Sequence, residues 1–272
     1  KLNRVYFLPF FYIRMKLNYK LYPCTSSDAP KHLFILHGLF GMLDNWHNIA
    51  RKLSEEYTVI SIDQRNHGNS PHSEEMSFEL MADDLAELMD DLQIATADIM
   101  GHSMGGKTVM RFADLHPDKL NKLIVVDISP WAYKSGHDAY FKAFNTIDFS
   151  VCQNRNEADA ALAVIEPDAG VRQFLLKNLD RSEKGYHLKF NLKPIESFYP
   201  QMISALDFQW LINAPTLFIY GENSGYIKKD DILTIENTFT QASFIEIKDA
   251  GHWIHAEQPK AFLETVQRFL AD

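Results

Sequence analysis

Short apolar runs recur at 32–36, 58–62, 98–100, 123–126, 216–220 and 244–247, each followed by polar or glycine-containing turn residues. Runs this short and this uniformly apolar predict strands of a sheet buried on both faces. Residues 15–22 (MKLNYKLY) alternate apolar and polar positions, the mark of a half-exposed strand. Between the runs, 77–92 sets Phe78, Met81, Leu85, Leu88 and Leu92 on one helical face, with Glu79, Asp83, Glu87 and Asp90 mostly elsewhere as a solvated face. Near the end, Pro259 opens a first helical turn, and Phe262, Val266 and Phe269 repeat at helical spacing. Alternation of strand and helix predicts an α/β fold, a mostly parallel sheet with helices on both faces.

The rhythm breaks between 131 and 213. Tyr140, Phe141 and Phe144, the run 158–165 and the run 174–179 suggest helices, and Gly185 precedes an alternating stretch at 186–192. This predicts a helical cap at 131–213, inserted after the sixth strand between core segments 15–130 and 214–272, lying over the strand C-terminal ends where such sheets bind ligands. Phe40, Trp131, Tyr133 and Trp253 are the aromatic candidates for lining a substrate pocket. Packing of the cap onto the core accounts for many aromatics equally well.

With 272 residues, 46% of them hydrophobic, the chain can bury the core of one α/β domain and an embedded subdomain. A net charge of −9 disfavours attraction to nucleic-acid phosphates and anionic lipids, so neither nucleic acid nor membrane is an expected partner. The two cysteines, Cys24 and Cys152, form no CxxC pair and no disulfide framework, which suits a reducing, cytoplasmic setting. The stretch 1–14 (KLNRVYFLPFFYIR) is aromatic, but Pro9 interrupts it, it is too short to span a bilayer, and no small-residue cleavage site follows. Met15 reads as a natural start, with 1–14 an added or upstream segment. No phosphate-binding glycine loop or metal-ligand cluster stands out, so neither a cofactor nor a metal is expected.

The chemistry concentrates at three places. The run 98–100 leads into Gly101-His102-Ser103-Met104-Gly105-Gly106, after which a helical pattern resumes. This is a G-x-S-x-G nucleophile elbow in a strand-turn-helix setting, and it nominates Ser103 as nucleophile. His37-Gly38-Leu39-Phe40-Gly41 follows the first buried run, where a turn can aim backbone N–H groups. Leu39, ahead of Phe40, is the expected oxyanion donor together with Met104. Asp249-Ala250-Gly251-His252-Trp253 follows the last run and nominates His252 as general base, because a serine hydroxyl is a weak nucleophile at neutral pH. His37 and His255 read as structural, the latter because its spacing from His252 has no third metal ligand to complete it. Asp63, Arg65, His67 and Ser70 read as a polar cluster that braces the site loops.

HGLFG at 37–41, DQRNHGNS at 63–70, GHSMGG at 101–106, VVDISP at 125–130, GENSGYI at 221–227 and AGHWIHAE at 250–257 together resemble the YbfF-like esterases of the α/β-hydrolase superfamily. The resemblance implies hydrolysis of a small-molecule ester or acyl thioester, a Ser-His-acid arrangement and a helical cap. Most members of the superfamily carry the triad carboxylate where Ser224 stands here. The resemblance places it instead at Asp127, with Ser224 as an auxiliary hydrogen-bond partner and Glu222 directed elsewhere. A carbon–carbon bond hydrolase, an acyltransferase and a non-catalytic binding protein remain open on the same motifs.

Overall fold

The computed structural model describes residues 14–27 and 31–271. The expectation for 1–14 therefore lies, Arg14 apart, outside the described residues. The chain runs through β1 (Tyr19–Tyr22), β2 (Lys31–Leu36), α1 (His47–Leu53), β3 (Tyr57–Ile62), α2 (Phe78–Asp91), β4 (Ala97–His102), α3 (Met104–Leu115) and β5 (Leu120–Val126). It then leaves the sheet for α4 (Asp138–Thr146), α5 (Arg155–Ala163), α6 (Ala169–Leu176), β6 (Leu179–Ser182), β7 (Gly185–Leu188) and α7 (Leu192–Met202). It returns as β8 (Thr216–Gly221), α8 (Lys229–Glu236), β9 (Ala242–Ile247), α9 (Ile254–Glu257) and α10 (Pro259–Ala271).

Seven strands form one sheet in the order β1-β3-β2-β4-β5-β8-β9. All neighbours are parallel except β1, which runs antiparallel to β3 at one edge. Strand order reverses between β2 and β4, and a crevice opens at that switch point beyond the strand C-terminal ends. The loops carrying Gly38–Gly41 and Ser103 both leave the sheet there.

Both faces are covered, which is why the strands read as continuous apolar runs. Phe34, Leu36, Ile60, Ile62 and Ile99 pack with α2 and α3, whereas Leu33, Ile35, Val59 and Met100 pack with α1 and α10. Ser77 caps α2 by accepting the Leu80 N–H. In α10 the buried positions are Phe262, Val266 and Leu270, so Leu270 takes the place expected of Phe269. β9 is an edge strand and is only partly buried.

The excursion follows the fifth strand of the described residues and not the sixth, because 31–36 and the edge strand β1 are the only strands before β3. It is helical apart from the hairpin β6–β7, whose tight turn at Ser182–Gly185 the alternation at 186–192 hinted at only in part. Its two ends are joined: Leu206 N–H donates to Pro130 O at 2.8 Å. No helix among the described residues is long and apolar enough to cross a membrane.

Candidate active site

β4 drives straight into a sharp turn whose apex is Ser103, held at φ 54°, ψ −118°. That left-handed region costs a non-glycine residue on the order of 1–3 kcal/mol. The turn closes because its flanks lack side chains. A Cβ at Gly101 would come within 2.2 Å of Gly105 O, and one at Gly105 would come within 2.6 Å of His37 O and 2.7 Å of Leu36 O. Ser103 N–H donates to Val126 O at 3.0 Å, which ties the apex to β5.

Asp127 emerges from the end of β5, also at positive φ (50°) and fully buried. Its Oδ1 accepts the Gly221 N–H at 3.0 Å. Its Oδ2 accepts Ser224 Oγ–H at 2.5 Å and His252 Nδ1–H at 2.7 Å. The sequence-nominated acid, auxiliary serine and base thus meet at one carboxylate. Glu222 turns away and accepts the Asp249 N–H at 3.0 Å. With Nδ1–H given to Asp127, the free nitrogen of a neutral His252 is the basic Nε2. Ser103 and His252 line one cavity, and no hydrogen bond among the described residues joins Ser103 Oγ to the imidazole. In such sites that contact commonly tightens only when substrate is bound.

Five imidazoles line this cavity, and four are held neutral. Burial pushes His37 and His137 down to about 4 and His255 down to about 3. His102 lies well below its ordinary value, through burial first and then the nearby His252. His252 is the one paired with a carboxylate. His102 Nε2–H donates to His252 O at 2.8 Å, and its ring lies 4.6 Å from the His252 ring. His255 stacks on Trp46 at 4.1 Å, in keeping with a structural role.

The loop after β2 is pinned from below. His37 Nε2 accepts the Gln64 N–H at 3.0 Å, and Gln64 Nε2 donates to His37 O at 2.6 Å. Gly41 N–H closes on Gly38 O at 2.9 Å, with Phe40 at φ 56°. Leu39 lines the cavity beside Ser103, and Met104 opens α3, where a first-turn N–H has no intrahelical partner. The polar cluster braces these loops as expected. Asp63 accepts the Leu43 and Asn69 N–H groups at 2.8 and 2.9 Å, Ser70 Oγ donates to Asp63 O, and Arg65 makes a two-point contact with Asp84.

The cavity measures about 220 Å³. Phe40 and Trp253 line it as expected, but Trp131 and Tyr133 do not. These two face a separate cavity of about 290 Å³, because the chain from Ser129 to Lys134 passes behind Tyr226. Tyr226, stacked on His252 at 4.2 Å, belongs to both. The excursion contributes His137, Tyr140 and Phe174, none of which the sequence singled out for the site. They lie on α4, α6 or the irregular 131–137 segment, where no motif marks them. His102 was hidden as the variable position of the elbow, and only its adjacency to Ser103 could have marked it.

The alpha/beta hydrolase fold family matches residues 31–259, and the chain belongs to that family. Esterase YbfF of Escherichia coli (strain K12) is 38% identical over 263 residues, spanning 95% of this chain and 100% of that protein. The sn-1-specific diacylglycerol lipase ABHD11 of Danio rerio is 37% identical over 265 residues, spanning 94% and 83%. A solved structure named marine microorganism esterase matches with a TM-score of 0.90 and 40% identity, spanning 94% and 99%. The chain is thus a carboxylesterase-type hydrolase that resembles the YbfF-like esterases.

Proposed function

We propose that this protein is a serine hydrolase that cleaves carboxylic esters or acyl thioesters through an acyl-enzyme on Ser103. The observation that carries the reading is the part-buried 2.7 Å contact that joins Asp127 to Nδ1 of His252, which lines the same cavity as Ser103. Ser103 Oγ attacks the acyl carbonyl while His252 Nε2 takes its proton, and the imidazolium returns that proton to the departing alcohol or thiol. A water molecule, deprotonated by His252, then releases the carboxylic acid and restores the serine. Asp127 holds the imidazole in the tautomer that leaves Nε2 free, and Ser224 supports the carboxylate. The N–H groups of Leu39 and Met104 receive the negative charge of the tetrahedral oxygen, each worth ~3 kcal/mol at the transition state. The core at 15–130 and 214–272 carries these groups, and the cap at 131–213 covers them. No cofactor takes part.

Two free, half-buried thiols, Cys24 and Cys152, support a reducing cytoplasmic setting. The net charge of −9 supports a small-molecule substrate over nucleic acid or membrane. The diacylglycerol relative makes acylglycerols natural members of a test panel, beside aryl esters, acyl-CoA thioesters and dienoate ketones. Release of acid from esters or thioesters, with fluorophosphonate labelling that Ser103→Ala abolishes, is expected. Turnover of dienoates alone would replace the reading with carbon–carbon hydrolysis, acyl transfer to an added alcohol without free acid would replace it with acyl transfer, and folded protein that neither labels nor turns over would make it a binding protein.

A further inference from the structure

The imidazole of His252 is fixed at its far end by Asp127, and its backbone lies in the loop between β9 and α9. Within that loop Asp249 sits at a positive φ of 55°. Three side-chain contacts hold the peptide groups that flank His252. The Gly251 N–H donates to Glu257 Oε2 at 2.6 Å, and the Trp253 N–H donates to Glu257 Oε1 at 3.0 Å. The His252 carbonyl accepts from His102 Nε2–H at 2.8 Å. One carboxylate therefore grips the amide on each side of the base, and the ring next to the nucleophile grips the carbonyl between them.

The sequence is arranged for this grip. A Cβ at position 251 would lie 3.2 Å from both oxygens of Glu257, so a glycine lets the carboxylate come close. Glu257 itself reaches back over one short turn, its own N–H donating to Trp253 O at 2.9 Å. Backbone N–H groups bound by a carboxylate make charge-assisted contacts, stronger than the water contacts that would replace them at this exposed loop. Glu257 touches none of the groups that react, and it does not line the cavity of Ser103.

We infer that Glu257 is a positioning residue for the base: it holds the Gly251–Trp253 backbone so that His252 Nε2 meets Ser103 Oγ. The inference rests on the serine-hydrolase reading above. A misplacement of about 1 Å in a catalytic group can cost roughly 100-fold in rate, so partial loosening of this loop is expected to cost about tenfold.

The test compares wild type, Glu257→Ala and Glu257→Gln on one aryl ester, with active sites counted by fluorophosphonate titration and folding followed by thermal melting. Glu257→Gln keeps one acceptor and turns an amide donor toward the second N–H, so it separates the two-acceptor grip from the mere presence of a side chain. The expected result is a fall of about tenfold in kcat per titrated site for Glu257→Ala, a smaller fall for Glu257→Gln, and KM within twofold of wild type in both. Unchanged kcat per titrated site, whatever happens to the melting temperature or the number of active sites, would overturn the inference. So would a rise in KM at constant kcat, which would make Glu257 a substrate contact from the neighbouring groove that it does line. Wild-type protein that is not labelled at Ser103 would instead refute the serine-hydrolase reading.

Discussion

Replacing Asp127 by asparagine removes one charge and changes one oxygen to a donor while keeping the side chain's shape. The contacts decide how the new amide turns. If its oxygen stays toward His252, its NH2 group faces the Gly221 N–H, donor against donor, in a fully buried site where Asp127 Oδ1 now accepts at 3.0 Å. An unmet buried donor costs about 1–3 kcal/mol. If the amide turns the other way, its oxygen accepts from Gly221 and its NH2 donates to both Ser224 Oγ and His252 Nδ1, each of which can accept. The second arrangement opposes no two donors and asks only that the part-exposed Ser224 hydroxyl turn its proton to solvent, so it wins. It forces the His252 proton onto Nε2, the nitrogen that must receive the serine proton. A wrong tautomer of this kind in a Ser-His-Asp site lowers kcat by ~10⁴, or about 5.5 kcal/mol at 1.36 kcal/mol per decade. Ser224→Ala removes the 2.5 Å contact to the carboxylate, which keeps two others, and the longer contact at 3.3 Å that Ser224 Oγ accepts from the Tyr226 N–H. A hydrogen bond to a charged group is worth about 1.5–3 kcal/mol, so that loss stays within roughly 100-fold. Initial-rate kcat on an aryl ester, with melting curves to verify folding, should rank Asp127→Asn at least ~100-fold below Ser224→Ala. An equal loss, or a greater one for Ser224→Ala, would refute the assignment of the acid.

Arg65→Met should lower stability by about 3–5 kcal/mol, because it leaves the buried Asp84 carboxylate without the two-point contact at 2.6 and 2.7 Å. Chemical denaturation that finds less than about 1 kcal/mol would contradict a bracing role for this pair. Lys107, fully buried on the helix that follows Ser103, gives its ammonium protons among the described residues to the carbonyls of Trp131 and Ser204, and burial pushes it down to about 7. Its folded value lies below the unfolded one, so between about pH 7 and its ordinary value of 10.5 the unfolded chain binds more protons and stability rises with pH. The stability of wild type relative to Lys107→Met should therefore increase from pH 7 to pH 10. A difference that is flat with pH would show that the buried amine does not titrate there.

The sheet and most of the site were legible because each follows from a local rule. Apolar runs of three to five residues without polar faces are best buried in a doubly covered sheet, and β2 to β5 and β8 follow them closely. Ser103 and His252 were readable because each follows an apolar run within a local motif, the elbow at 101–106 and the Gly251-His252 turn. Asp127 was harder. Nothing in VVDISP marks a catalytic acid, and only resemblance nominated the residue that the 2.7 Å contact now joins to His252. Trp131 and Tyr133 misled because an aromatic near a strand end says nothing of which side of Tyr226 its chain will pass. His137, Tyr140 and Phe174 were illegible for the same reason, since the path of the excursion over the sheet depends on tertiary packing. Nothing in the sequence marks Glu257, and its link to two backbone amides appears only in three dimensions.

The central claim is a covalent acyl intermediate on Ser103, and intact-protein mass spectrometry after rapid acid quench during turnover of an aryl ester tests it directly. The expected result is a transient mass increase of one acyl group, located by peptide mapping at Ser103 and absent in Ser103→Ala. Hydrolysis that continues with no adduct, or with the acyl group on another residue, would contradict it.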